Sequence, residues 1–338
     1  MIRCGIVGYG YMGDIRRTVI AATGSLELTG VYEPADGPRA KAVSDGCRTF
    51  ASISDLIDSS DAVFVCTPNA ITPEVCVEAL AKGRHVFCEK PPGRNLRETR
   101  TIAMAVTGGE KLMFGFNHRF HPGIMRAKVI VDGGRMGKVI GARGTYGKSG
   151  GVSFRESWRN NREISGGGIL LDQGIHMLDL FRFFCGEFSQ VKCLVSNAFW
   201  GLDVEDNAYV VLGSKSGPHA MLHSSATQWK HTFRLDLILE HGYLTVEGLL
   251  SKSGSYGQER LVVGKRQFED EAAAVGNPAE EITYFDRDRS WELEVSEFAR
   301  CIVEDAPVSV SSSEDAIKVM ELVAAAYRDA GVLPGDWT

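Results

Sequence analysis

The feature that most narrows the fold stands at the start of the chain, where the apolar run 2–7 leads into Gly8-Tyr9-Gly10-Tyr11-Met12-Gly13 and then into a helix-compatible stretch, 11–22. Strand, glycine turn and helix in that order open a βαβ unit, and the spacing Gly-x-Gly-x-x-Gly suits a turn that cradles a pyrophosphate. Gly8 permits the tight turn, Gly10 lets backbone approach the phosphates, and Gly13 lets helix and strand pack closely. The helix start, at Tyr11 and Met12, then offers unpaired N–H groups to negative charge. Glycine is common here, 38 of 338 residues, so the spacing counts only because a strand precedes it and a helix follows. A second apolar run, 26–32, ends at Glu33, twenty residues past Gly13. A carboxylate there accepts both hydroxyls of an adenosine ribose and repels a 2′-phosphate, which makes NAD the expected cofactor. NADP is the alternative, because Arg39 stands within reach of a 2′-phosphate.

The alternation continues through residue 120. Expected strands are 2–7, 26–32, 61–66, 85–88 and 111–116, and expected helices are 11–22, 35–45, 52–58, 72–82 and 95–107. Short links between such elements build a parallel sheet covered on both faces, with ligands at the carboxyl ends of its strands. Those ends are the glycine turn, Glu33, Thr67-Pro68-Asn69, Glu89-Lys90-Pro91 and Asn117-His118-Arg119. Thr67, Pro68, Asn69, Glu89 and Lys90 are therefore read with Gly8, Gly10, Tyr11, Met12, Gly13 and Glu33 as the cofactor side, and Asn117 and Arg119 as the substrate side.

A chain of 338 residues is long for one hydrophobic core. The pattern changes near residue 120, which implies a dinucleotide-binding domain over 1–120 and a second α/β domain over 121–338. The second begins with a helix to about 132, a strand 138–146, a polar stretch 147–163 and the turn Gly166-Gly167-Gly168, followed by a helix 172–184. Alternating or β-branched runs at 189–199, 206–213, 218–225, 232–238, 242–247, 258–264 and 281–285 predict an open, predominantly antiparallel sheet. Helices 290–304 and 313–330 end the chain, the last capped by Ser312 or Ser313.

The chemistry concentrates on three residues. Asp172 and His176 are four apart on the expected helix and share a face. An imidazole exchanges protons near neutrality, so His176 suits the base that alcohol oxidation needs, while Asp172 orients the substrate or tunes the imidazole. An isolated Asp-x-x-x-His is often a surface pair; the apolar neighbours Ile169, Leu170, Ile175 and Leu178 make this helix a buried one, whose polar groups need partners or a ligand. The three glycines before it would let its start approach a substrate closely. Lys90 follows a short strand and precedes Pro91, which extends its backbone and sets its ammonium beside the cofactor, where it would stabilise a developing alkoxide. Tyr146, Trp158, Arg155 and Arg159 supply aromatic surface and cationic donors for a polyhydroxylated or anionic substrate. The polar run 223–231 would line a pocket or form a subunit contact.

Bulk properties exclude other classes. A net charge of −6 without a basic block argues against nucleic acid, and no apolar window is long enough to span a membrane. The eight cysteines are dispersed, with no CxxC, HExxH or compact Cys/His cluster, so neither a disulfide framework nor a metal site is expected, and the cytoplasm is the default.

Taken together, the fingerprint at Gly8, Gly10 and Gly13, the element Glu89-Lys90-Pro91, and Gly166 to Gly168 with Asp172 and His176 resemble the Gfo/Idh/MocA family over the whole chain. The resemblance implies a Rossmann domain followed by an α/β domain with an open sheet, an active-site group of Lys90, Asp172 and His176, and a homodimer or homotetramer formed through that sheet. It also allows a cis Lys90–Pro91 bond. Many relatives carry histidine three residues after the asparagine at position 69, whereas this chain has Thr72. The implied function is NAD(P)-dependent hydride transfer at a secondary alcohol or ketone of a sugar, phosphosugar, nucleotide sugar or inositol. The alternatives are an NADP-dependent reductase of a keto-sugar or other carbonyl, and a catalytically weak dinucleotide-binding sensor or scaffold.

Overall fold

A computed structural model describes residues 1–215, 217–267 and 279–332. The N-terminal part runs β1 (Ile2–Val7), α1 (Tyr11–Ala22), β2 (Leu26–Tyr32), α2 (Asp36–Ser44), α3 (Ile53–Asp58), β3 (Ala62–Val65), α4 (Thr72–Ala81), β4 (His85–Cys88), α5 (Leu96–Met104) and β5 (Leu112–Phe114). Its five strands are all parallel in the order β2-β1-β3-β4-β5. The central strands read as continuous apolar runs because both faces are covered: every residue of β3 is buried. One face packs Val63, Val65, Val86 and Cys88 with Val75 and Leu80 of α4 and Ile102 of α5.

The rest comprises α6 (Pro122–Asp132), β6 (Val139–Gly147), α7 (Arg162–Ser165), α8 (Ile175–Cys185), β7 (Gln190–Ser196), β8 (Asn207–Gly213), β9 (His219–Ser225), β10 (Thr232–Leu239), β11 (Gly242–Glu247), β12 (Glu259–Lys265), β13 (Glu280–Phe285), α9 (Ser290–Val303) and α10 (Ser313–Asp329). Its eight-stranded open sheet has the order β13-β12-β11-β10-β6-β9-β8-β7, antiparallel throughout except where β6 runs parallel to β9. One face buries Val210, Leu212, Leu222, Leu235 and Leu237 in the core that holds α8 and α10. The other leaves Tyr209, Val211 and Met221 about half exposed, as the alternation along each strand requires.

Two features differ from the sequence-based expectation. The helix α9 returns to the first sheet: its Val295, Phe298 and Ala299 join Cys4, Ile6, Phe64 and Phe87 in one cluster, with Phe298 edge-on to both phenyl rings at 5.7 and 5.6 Å. The helix expected at 172–184 opens instead as a π turn, Leu170–Gly174, before α8 proper. A wider turn of this kind re-aims the side chains it carries, here Asp172.

Candidate active site

A cavity of about 990 Å³ lies at the carboxyl edge of the first sheet and is also lined by residues of the second. At one end are Gly8, Gly10, Tyr11, Met12 and Glu33, followed by Thr67, Pro68, Asn69, Glu89 and Lys90. The glycine turn is shaped for a dinucleotide. A Cβ on Gly8, whose φ is +92°, would sit 2.5 Å from the Cys66 carbonyl oxygen, and one on Gly13 would sit 2.2 Å from that of Gly8. A Cβ on Gly10 would meet nothing within 4 Å, so that face is open, and α1 begins there without a side-chain cap. Open backbone at an uncapped helix start fits a pyrophosphate. The Glu33 carboxylate is held by N–H groups of Tyr9 (2.7 Å) and Ala35 (2.9 Å), which leaves lone pairs on both oxygens for ribose hydroxyls.

The other end carries the polar chemistry. His176 is buried and lies face to face with His118, ring centres 3.6 Å apart. His118 is fixed on both nitrogens, by Asn117 Oδ1 at 3.1 Å and the Tyr146 hydroxyl at 2.9 Å. Burial, then the neighbouring His118 and Lys90, push the His176 pKa well below that of a free imidazole, so the ring is neutral at ordinary pH. Its Nδ1 is shut off from solvent and has no partner among the described residues, leaving Nε2 to exchange a proton. Lys90 follows β4, its bond to Pro91 is cis, and its ammonium donates to the Asp172 carbonyl oxygen at 2.7 Å. Burial lowers the Lys90 pKa to about 8 against the opposing pull of Asp172. Asp172 is placed among three cations, with Lys148 Nζ at 2.6 Å, Arg159 Nε at 3.4 Å and Lys90 Nζ at 3.8 Å. Burial opposes ionisation of this carboxyl, but Lys148, Lys90 and Arg159 outweigh it and hold the pKa far below the usual range.

Asn117, Tyr146 and Trp158 line the same cavity. Arg119 does not: it is buried, pairs with Asp179 at 2.6 Å and Asp315 at 2.9 Å, and ties the turn after β5 to α8 and α10. Its place with Asn117 at the carboxyl end of a strand suggested a ligand contact, but the sequence does not reveal that successive residues of a 3₁₀ turn, Asn117–Phe120, point different ways. The glycine triplet has a packing role that the sequence did not show. A Cβ on Gly166 would meet the Arg94 carbonyl oxygen at 2.2 Å, one on Gly167 the Tyr327 hydroxyl at 2.4 Å, and one on Gly168 the Glu205 carbonyl oxygen at 2.1 Å. Close packing against protein demands glycine here, and Gly167 and Gly168 also line the cavity. The carboxylate of Glu205 then accepts N–H groups of Gly168 and Leu170 and the Tyr327 hydroxyl, fixing the start of the π turn.

Sequence reasoning did not single out Lys148, Glu205 or Tyr256, all of which line the cavity. For Lys148 a signal was present, in its place directly after a strand at the head of the polar stretch. The run 223–231 divides: His231 lines the cavity, whereas His223 stacks on Tyr209 at 4.2 Å on the open face of the second sheet. Thr72, where relatives often have histidine, is buried and bonds Thr67 at 2.9 Å.

Residues 2–116 match the family model described as an oxidoreductase family with an NAD-binding Rossmann fold, and residues 124–245 match the GFO/IDH/MocA C-terminal domain. Levoglucosan dehydrogenase of Pseudarthrobacter phenanthrenivorans is 31% identical over 58% of this chain and 54% of its own length, so the match spans about half of that relative. D-glucoside 3-dehydrogenase of Escherichia coli is 27% identical over 97% of this chain and 95% of its own. A solved levoglucosan dehydrogenase in complex with NADH and levoglucosan superposes with a TM-score of 0.86 at 22% identity, covering 98% of this chain and 97% of that one.

Proposed function

Because the chain belongs to the Gfo/Idh/MocA oxidoreductase family, we propose that it transfers hydride between NAD(H) and a ring secondary alcohol, or its ketone, of a sugar or cyclitol. The observation that carries this reading is that Lys90, Asp172 and His176 line one cavity with a turn shaped for a dinucleotide. When bound, the nicotinamide supplies the hydride acceptor or donor. The protein's part is proton management. His176, neutral and backed by the His118 ring, takes the hydroxyl proton at Nε2. The Lys90 ammonium steadies the oxygen as charge develops, and Asp172, ionised by its three cations, receives a substrate hydroxyl and fixes the ring. Reduction uses the same groups in reverse. Relatives named as acting on levoglucosan and on a D-glucoside support a carbohydrate substrate. A spectrophotometric screen of sugars, phosphosugars, nucleotide sugars and inositols with NAD and NADP, in both directions, tests it; bound cofactor without turnover across the panel would favour a sensor or scaffold.

NAD is expected to bind at least about tenfold more tightly than NADP, since Glu33 is pinned where a 2′-phosphate would bring like charge. Fluorescence titrations with both dinucleotides at one ionic strength measure this. Equal or tighter NADP binding would shift attention to Arg39, whose guanidinium now pairs with Asp36 and bonds the Pro34 carbonyl.

The open face of the second sheet fits a homo-oligomer interface, because Leu194, Tyr209, Val211, Met221, Ile282 and Tyr284 are exposed along it. Sedimentation should show a dimer or tetramer, and Met221→Glu should lower the assembly size; a wild-type monomer at micromolar concentration would remove this reading. All eight cysteines are free thiols, which suits a reducing compartment such as the cytoplasm. No described helix is long and apolar enough to cross a membrane.

A further inference from the structure

We infer that the substrate carries an anionic group, a carboxylate or a phosphate, which Lys148 and Arg159 hold beside Asp172; this rests on the hydride-transfer reading above. The observation is a charge imbalance. Lys90, Lys148 and Arg159 all stand within 3.8 Å of one carboxylate, that of Asp172. The other carboxylates lining the cavity do not offset them. Glu89 is paired with Arg16 at 2.6 Å, Glu205 is bound by backbone N–H groups and Tyr327, and Glu33 is bound to backbone at the dinucleotide end. Three cations against one anion leave the substrate end positive, in a space where protein walls strengthen the field.

The donors are also left available. Lys148 Nζ spends one N–H on Asp172 Oδ2, and an ammonium has three. The Arg159 guanidinium lies over the Trp158 ring, 4.5 Å from its centre, and makes no hydrogen bond among the described residues. Its side chain is 42% exposed against 22% for Lys148, so the pair grades from the cavity wall to the mouth. A planar guanidinium placed over an indole, beside an ammonium, is a fork suited to two oxygens of one anion. His231 lines the cavity as well and adds a polar edge.

The test uses matched panels, glucose with glucuronate and glucose 6-phosphate, and myo-inositol with its monophosphates, assayed for turnover and for binding to the NADH-loaded protein. The anionic members should show kcat/KM and affinity at least about tenfold above their neutral partners at low salt, an advantage that shrinks as salt is raised. Arg159→Met and Lys148→Met should collapse the anionic-to-neutral ratio; Arg159→Lys should restore part of it. The carboxylate and phosphate arms show which anion fits. Equal or better use of the neutral members, or a ratio unchanged in both methionine variants, overturns the inference while leaving hydride transfer standing. Anion-selective binding without turnover in any panel supports the inference and counts against hydride transfer.

Discussion

His176→Ala is expected to lose about 10²–10⁴ in kcat, the range supplied by a positioned general base, while its affinity for NADH stays within about twofold of wild type. The asymmetry follows from position, because His176 lies with the polar group around Asp172 and His118, and the dinucleotide end of the cavity is built from other residues. Removing the ring also uncovers one face of His118, so His176→Asn serves as a polar control that lacks a base of comparable strength. The pH profile separates loss of proton transfer from loss of packing. Only neutral imidazole can accept a proton, and neutral imidazole is lost as pH falls through the folded-state pKa. Since burial and His118 hold that pKa well below the ordinary value of about 6.5, oxidation by the wild type should keep its kcat/KM at pH 6.5 and lose it only in more acid solution. Single-turnover hydride transfer with saturating cofactor and substrate, measured across pH, is the check. Near-wild-type rates in His176→Ala would take the histidine out of the base role and leave Lys90 or an ordered water.

What could be read from the sequence divides along a physical line. Elements whose sides are fixed by their own residues were legible. The strands at Ile2–Val7, Leu26–Tyr32, His85–Cys88 and Gly242–Glu247 have the expected limits, because unbroken apolar runs or strict alternation specify their burial without reference to the rest of the chain. The dinucleotide turn was legible because strand, glycine spacing and helix are contiguous in the chain, although the carbonyl that closes on Gly8 belongs to Cys66, just after β3. The glycine triplet was visible as a turn, but its packing role was not: its Cβ positions are closed by Arg94, Glu205 and Tyr327, each far away in sequence. Arg119 failed likewise, its partners Asp179 and Asp315 being 60 and 196 residues distant. The π turn at Leu170–Gly174 has no periodic signal, because five residues do not establish a period and Glu205 anchors its start from outside. Charge balance was the least legible property. Lys148, Arg159 and Lys90 come from three separate segments, and only folding shows them converging on one carboxylate.

Lys90→Met should lower kcat/KM by about 10²–10³, the usual loss when a donor to a developing oxyanion is removed. The protein should stay folded, since methionine fills the stem's space, and Asp172 keeps Lys148 and Arg159 as partners. Lys90→Arg discriminates more finely. In the wild type the ammonium disappears as pH rises through about 8, the value to which burial lowers it, so a step that needs the charged form weakens above that pH. A guanidinium does not deprotonate in this range, so Lys90→Arg should be slower than wild type, because its planar head cannot reproduce a compact ammonium, yet should lack the falling limb near pH 8. If the limb persists in Lys90→Arg, another group sets it; if activity instead rises through pH 8 in the wild type, the neutral amine is the active form and Lys90, not His176, removes the proton. The two variants together therefore assign the roles. His176 is the base if its loss abolishes the acid limb and Lys90→Arg abolishes the alkaline one, because each limb then belongs to the group whose charge state the chemistry requires.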